Sequence, residues 1–211
     1  IMNNHCVFPE ISVVFVHIPK TAGTSMRAFL YQITQSWTPE HTGNPHATAS
    51  EIKEEHPNQW DSFLKIALMR DPVKRFASAY HYFKRLKKLW DEGKEVGHIS
   101  DYKTGQKIGD ASLGDLINDM DILEGYNLHF RPQVNFLREH LNWVSTDIQA
   151  TVKRIEDHVG EKIMLGGDKI VFPHKNTNNQ KYDVSEADSK KIRDYYAEDY
   201  EYINKCIHKK R

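Results

Sequence analysis

Two stretches of the chain combine residue types that can bind an anion and act on it. The first is His17-Ile18-Pro19-Lys20-Thr21-Ala22-Gly23-Thr24-Ser25, a short loop between an apolar run and a helical pattern. A loop that feeds a helix N-terminus offers N–H groups with no intrahelical partner and the positive end of the helix dipole, which suit a phosphate. Lys20 adds a charge, Thr24 and Ser25 add hydroxyl donors, and Gly23 lets the backbone approach closely. The second stretch is Arg70-Asp71-Pro72-Val73-Lys74-Arg75-Phe76-Ala77-Ser78-Ala79-Tyr80. Arg70 closes an apolar run and Ser78 falls two turns into the next helix, so a guanidinium fork and a hydroxyl form a second phosphate clamp. Each stretch also has a plainer reading, as an ordinary tight turn and as a helix with solvated basic residues. The first loop is not Walker A, because GxxxxGK[ST] places Lys directly before Ser/Thr and here Gly23 holds that place. No clear magnesium-binding Asp follows the second apolar run, which ends Met69-Arg70-Asp71-Pro72.

The elements that must position these residues are legible as periodicities. Ile11 to Ile18 is β-branched and nearly all apolar, which predicts a strand buried on both faces of a parallel sheet. Met26, Phe29, Leu30 and Ile33 then fall at helical spacing. Phe63 to Met69 predicts a second buried strand, and Pro72 stands at a first helical position, opening a helix to about Trp90. A short helix is expected over 49–56, stopped by Pro57, and another over 113–123. Residues 91–112 show no clear period and predict a surface loop long enough to suspect function. Thr151 to Glu156 predicts a third strand, Val159 to Leu165 a helix ended by Gly166-Gly167, and 170–172 a short extended piece. Residues 185–207 predict a C-terminal helix with Ile192, Tyr195, Tyr196, Tyr200 and Ile203 on one face. Strands alternating with helices predict an α/β, three-layer, P-loop-like domain over 1–211, a central parallel sheet flanked by helices. Ligands in such sheets bind beyond the carboxyl ends of strands, which puts the loops 17–25 and 70–78 at one rim.

Composition narrows the function classes. The chain has 211 residues, 29 Lys+Arg against 29 Asp+Glu and a net charge of zero, which argues against bulk nucleic-acid binding but allows a local anion pocket. No apolar run approaches the ~20 residues of a membrane span. No signal-peptide pattern opens the sequence, and membrane association is expected only if an anchor preceded Ile1. Cys6 and Cys206 make neither a disulfide framework nor a zinc motif, and no Asn-x-Ser/Thr sequon occurs. These features favour a cytoplasmic enzyme, with the Golgi lumen as the alternative for a trimmed catalytic domain.

Taken together, PKTAGTS after a first strand and RDPVKRFASAY after another resemble the sulfotransferase family, and most nearly its carbohydrate branch, including bacterial relatives of the heparan/uronyl 2-O-sulfotransferases. GNPHATASEIKE resembles that family's histidine segment, FRPQ (Phe130–Gln133) a motif after the second helix, VKRIED (152–157) a later strand and PHKN (173–176) a C-terminal loop. The resemblance implies a co-substrate, 3′-phosphoadenosine 5′-phosphosulfate (PAPS), its product adenosine 3′,5′-bisphosphate, no metal, and in-line sulfuryl transfer to a carbohydrate hydroxyl. It implies that residues 20–25 hold the 5′ phosphosulfate, with Lys20 on the leaving phosphate, and that Arg70 and Ser78 hold the 3′ phosphate.

A sugar hydroxyl loses its proton as the new bond forms, and a His near neutrality suits the base. Among twelve His residues, His46 lies in the segment that resembles the catalytic histidine's. Its plainer reading is a cap for the helix that begins near Thr48. His129 beside FRPQ is the reserve base or a substrate contact, with Arg131 near the acceptor; His17 is expected to pack near the loop. Lys84, Arg85, Lys87 and Lys88 read first as a solvated face, then as an anionic-sugar contact. Lys94, Lys103 and Lys107 could also face acceptor, and Trp37, Trp60, Trp90 and Trp143 offer stacking surfaces or core. The competing readings are a P-loop nucleotide kinase or ATPase and a non-catalytic carbohydrate-binding relative.

Overall fold

A computed structural model describes residues 6–35, 44–94, 99–108, 110–165, 168–173 and 182–208. The chain opens with β1 (Val7–Phe8), turns through Pro9–Ile11 and a left-handed Ser12 (φ 54°), and enters β2 (Val13–Val16). The loop 17–22 leads into α1 (Gly23–Thr34). Next come α2 (Ala49–Glu55), α3 (Pro57–Ser62), β3 (Leu64–Leu68) and the long α4 (Pro72–Asp91). After these follow α5 (Ile99–Ile108), α6 (Leu113–Ile117), α7 (Met120–Tyr126), β4 (Trp143–Ser145) and α8 (Ile148–Val159). The short antiparallel pair β5 (Met164–Leu165) and β6 (Asp168–Lys169) precedes α9 (Glu186–Tyr195) and α10 (Ala197–His208).

Contacts divide the chain into two compact units, one of Ile1–Met69, Gln133–Asn179 and Ile203–Arg211, the other of Arg70–Pro132 and Gln180–Tyr202. The first unit holds the sheet, ordered β1-β2-β3-β4. β1 is antiparallel to β2, whereas β2, β3 and β4 are parallel, with Val16 opposite Ala67 and Leu68 opposite Ser145. Every residue of β2 and β3 is buried, as expected of strands covered on both faces. Val13, Phe15, Leu64, Ile66 and Leu68 pack on one face with Met26, Phe29 and Leu30 of α1 and Val152 and Ile155 of α8. Lys65 points to the opposite face, where its ammonium donates to the Trp60 carbonyl of α3 (2.7 Å). The second unit is helical, with Phe76, Tyr80 and Phe83 of α4 packed among Ile108, Leu116, Phe130, Ile192 and Tyr196.

Several predicted elements change. Thr151–Glu156 is not a strand but the middle of α8; Asp147 caps that helix by accepting from the Ala150 N–H (3.0 Å), and Val152, Ile155 and Val159 form one buried stripe. The third parallel strand is instead β4. Residues 99–108 of the expected loop form α5, and the expected helix over 159–165 is a 3-10 turn followed by β5. The helices expected over 113–123 and 185–207 are each two, α6/α7 and α9/α10. Pro57 ends α2 and also opens α3. No described helix is long and apolar enough to cross a membrane.

Candidate active site

Because β2 and β3 run parallel and in register, their carboxyl ends emerge side by side in the first unit. The chain leaves β2 through two left-handed non-glycine residues, Lys20 (φ 69°) and Ala22 (φ 68°). Each such conformation costs roughly 1–2 kcal/mol, so the turn is held by its surroundings. One support is Thr21, whose buried hydroxyl donates to the Ile18 carbonyl (2.8 Å). Left-handed residues set among right-handed ones gather backbone N–H groups into an anion-binding concavity. Ala22 occupies the N-cap of α1 and offers no side-chain acceptor to the first turn. α3 and α7 likewise start without a side-chain cap, whereas α2, α4, α6, α8 and α9 are capped by Thr48, Asp71, Ser112, Asp147 and Ser185. In that first turn the Thr24 side chain is exposed and Ser25 is buried. Lys20 is half-buried.

Gly23 has a role that its position in the loop does not announce. A Cβ there would stand 1.7 Å from His17 Cδ2 and 1.9 Å from Nε2, so the His17 ring fills the space a side chain would need. His17 is buried, as expected, and its ring lies 4.3 Å from that of His46. His46 Nδ1 is 3.0 Å from the His17 carbonyl. A carbonyl only accepts, so Nδ1 carries the proton, and the neutral ring keeps its lone pair on Nε2. Asn44 Oδ1 accepts from the His46 backbone N–H (2.9 Å), fixing the approach to the ring. The cap of α2 is Thr48, in a reciprocal box with Glu51, so His46 is not the helix cap. The structure therefore brings His46 to the end of β2 beside the Lys20 loop.

Arg70 and Ser78 belong to the second unit. Asp71 caps α4 by accepting from the Lys74 N–H (2.9 Å), and its other oxygen accepts from the Tyr200 hydroxyl (2.9 Å). That carboxylate is committed to structure. Arg70 precedes it, half-buried; burial pulls its pKa down, opposed by Tyr182 and Asp71, and the guanidinium stays charged. Ser78 is buried on the second turn of α4, one turn before His81, whose ring stacks on Tyr182 at 4.7 Å. Tyr182 thus neighbours both Arg70 and the Ser78 turn.

A family model described as the sulfotransferase family matches residues 3–209, nearly the whole chain and parts of both units. The chain belongs to the sulfotransferase family. Neither the curated proteins nor the solved structures yield a match. Sulfuryl transfer is therefore the general chemistry of this protein.

Several residues of this sulfotransferase matter in ways the sequence alone did not signal. Arg75 is fully buried, donates to the Arg131 carbonyl (2.8 Å) and lies close to Asp199, itself fully buried. It fixes the FRPQ segment, in which Phe130 and Gln133 are buried and Arg131 is half-buried. Its only mark in the sequence is its place among the basic residues of one helix, where a solvated side chain is the ordinary expectation. His129, also half-buried, stacks on Tyr82 (5.4 Å). Lys87 pairs with Asp91 (2.6 Å) and Lys84 lies over the Tyr80 ring, whereas Arg85 and Lys88 are exposed. Lys94, Lys103 and Lys107 are exposed. Trp60 is core; Trp90 and Trp143 are half-buried packing residues, and Trp143 Nε1 donates to Thr151 (3.0 Å). Trp37 and residues 174–176 of PHKN lie outside the described residues.

Proposed function

We propose that the protein moves the sulfuryl group of PAPS to a hydroxyl of a carbohydrate acceptor. The observation that carries this reading is the β2 exit: a strained turn bearing Lys20, a helix start without a side-chain cap, and His46 anchored by Nδ1 to the His17 carbonyl. A kinked, N–H-rich loop ending in an uncapped helix is chemically suited to a 5′ phosphosulfate, which supports reading β2, the loop and α1 as P-loop-like. When bound, PAPS supplies an activated sulfuryl group that leaves a phosphate behind. Backbone N–H groups of 22–25, with the hydroxyls of Thr24 and Ser25, hold that phosphate. Lys20 neutralises the charge that grows on the leaving oxygen. His46 takes the acceptor's proton on Nε2. Arg70 and Ser78 hold the 3′ phosphate, a half-buried guanidinium with a buried hydroxyl. The carbohydrate class of acceptor rests on the motif resemblance.

Thermal shift tests the donor without needing the acceptor, because a ligand of the native state raises apparent stability by mass action. Adenosine 3′,5′-bisphosphate should stabilise the chain clearly more than AMP, with or without magnesium. Equal shifts from the two nucleotides would remove the 3′-phosphate role, and a larger shift from ATP with magnesium would favour a nucleotide kinase or ATPase.

A further inference from the structure

α4 carries Ser78 and His81 three residues apart, a spacing that sets two side chains on one face of a helix, about 5–6 Å apart at Cβ. Ser78 is buried and His81 is exposed. The His81 ring lies flat on that of Tyr182, with centroids 4.7 Å apart and planes 15° apart. Tyr182, half-buried, also stands close enough to Arg70 to act on its guanidinium. One phenol thus ties the residue that precedes α4 to the third turn of that helix. Arg70, Ser78, His81 and Tyr182 all belong to the second unit. Stacking engages a face of the imidazole, whereas its hydrogen bonds use the edge, where both nitrogens lie. A phenyl ring would stack as well, so packing alone does not call for the nitrogens. Burial, and after it Lys84, pull the His81 pKa below the usual histidine range. The groups that face the ring are Lys84 and Tyr80 of its own helix, Tyr80 at 5.0 Å, and Tyr182. From α6, Asp115 acts on the Tyr80 phenol. α5 meets α4 at Tyr82 and Trp90, and Ile192 of α9 packs with Phe76. Cations therefore oppose the charging of this imidazole, and an incoming dianion would offset them.

We propose that His81, held by Tyr182, is a third ligand of the 3′ phosphate beside Arg70 and Ser78 and donates to it as an imidazolium. The assignment rests on the reading of Arg70 and Ser78 as the 3′-phosphate clamp. A phosphate monoester carries nearly two negative charges near neutrality and three acceptor oxygens. Arg70 supplies one positive charge and Ser78 one hydroxyl; an imidazolium supplies the second charge and a further donor. The three together match a terminal monoester, and they distinguish it from the bare 3′ hydroxyl of AMP.

Isothermal titration of the full chain with adenosine 3′,5′-bisphosphate and with AMP tests this, run between about pH 5.5 and 8 in two buffers of unlike ionisation enthalpy. It reads both the affinity and the protons exchanged on binding. AMP lacks the 3′ phosphate and reports any general structural damage. The unmodified chain should take up more protons on binding the bisphosphate than His81→Phe does. Comparing the two proteins cancels the proton that the phosphate itself releases. At about pH 6.5, His81→Phe should weaken bisphosphate binding about tenfold, the size of one charge-assisted contact, and leave AMP affinity unchanged. That gap should narrow towards pH 8, as the imidazolium loses its proton. Tyr182→Ala leaves His81 without its support and should shift bisphosphate binding in the same direction; it stands in if His81→Phe does not fold. Equal proton uptake by the unmodified chain and His81→Phe overturns the assignment, and so does an unchanged bisphosphate affinity. Equal losses for bisphosphate and AMP would make His81 a packing residue, which also overturns it. If the unmodified chain binds the bisphosphate no better than AMP, the clamp of Arg70 and Ser78 fails and His81 with it. A clear preference for the bisphosphate that His81→Phe does not diminish keeps the clamp and removes His81 from it.

Discussion

Gly23 and His17 share one volume, and that makes a sharp test of how the candidate site is built. Gly23→Ala drives a methyl group into the His17 ring at 1.7 Å. Overpacking of this kind costs about 1–3 kcal/mol, so the urea midpoint should fall. His17→Ala should cost stability as well, yet the double variant should recover part of the Gly23→Ala loss, a coupling that a double-mutant cycle measures. Additive losses would show that the ring does not occupy that space in solution. At the other end of the loop, Lys20→Ala should lower turnover at least a hundredfold while bisphosphate affinity falls far less, the signature of an interaction made in the transition state. Equal losses in turnover and affinity would make Lys20 a binding residue only. The positions of Lys20, Thr24 and Ser25 were legible because they fall within six residues of one loop that follows a strand. The purpose of Gly23 was not, because the ring that needs its space belongs to a residue six positions earlier, brought back by two left-handed residues. His129 was legible as a candidate, whereas His81 was not, because the ring that holds it, Tyr182, lies far along the chain.

Elements were legible where one period dominated and misread where two competed. Thr151–Glu156 carries β-branched Thr151, Val152 and Ile155, which favour a strand, yet Val152, Ile155 and Val159 also mark a helical face. The Asp147 cap and the Thr151 hydroxyl, which donates to the Asp147 carbonyl (2.9 Å), decide for the helix. Residues 99–108 were missed for a different reason: α5 has Gly105 inside it and charged residues at 101, 103 and 107, which leave no clear helical period in the sequence. Cap residues give the element-scale test. Asp147→Ala removes one cap contact and should cost about 1 kcal/mol. Asp71→Ala removes the α4 cap and the acceptor of the Tyr200 hydroxyl together, so its loss should be about twice as large. Asp71→Asn should recover most of it, because an amide oxygen can still accept from Lys74 and its NH₂ can donate to the Tyr200 oxygen. Equal stability of Asp71→Ala and Asp147→Ala in urea titrations would show that the Tyr200 contact contributes nothing.

At the scale of the whole chain, the division into two units was illegible because nothing in composition marks the points where the chain leaves one and enters the other. Met69 ends one buried segment and Arg70 begins the next unit without a linker. Both units hold groups whose ionisation burial opposes, Tyr31 and Cys6 in the first and a larger set of phenols in the second. Tyr82, Tyr195, Tyr196 and Tyr200 all lie in the second unit, and burial raises the pKa of each; Asp101, Glu124 and Asp71 add to the effect at Tyr82, Tyr195 and Tyr200 through the hydroxyls they accept. In the first unit burial pushes the Cys6 thiol up to about 12. A phenol whose folded pKa is raised keeps its proton in the native state after the unfolded chain has lost it. Above about pH 10 the native state therefore binds more protons, and stability falls with rising pH. It is fully present below that pH and is lost towards the folded values. For Tyr196, only 2% exposed, the slope approaches about 1.4 kcal/mol per pH unit; the other three keep more solvent contact and contribute less. Cys6, equally buried, adds a loss of similar slope that begins lower, near its unfolded value of about 8.5, and above about pH 10 the four phenols of the second unit together outweigh it. We therefore expect the second unit to lose stability faster above about pH 10, with hydrogen exchange at α4 and α9 rising between about pH 10 and 12 before that at β2 and β3. Tyr196→Phe removes the titrating hydroxyl together with its 2.5 Å bond to the Phe130 carbonyl, so it should lower stability at pH 7 and flatten the alkaline slope. A slope unchanged in Tyr196→Phe, or loss of β2 and β3 protection first, would show that these phenols do not set the alkaline limit.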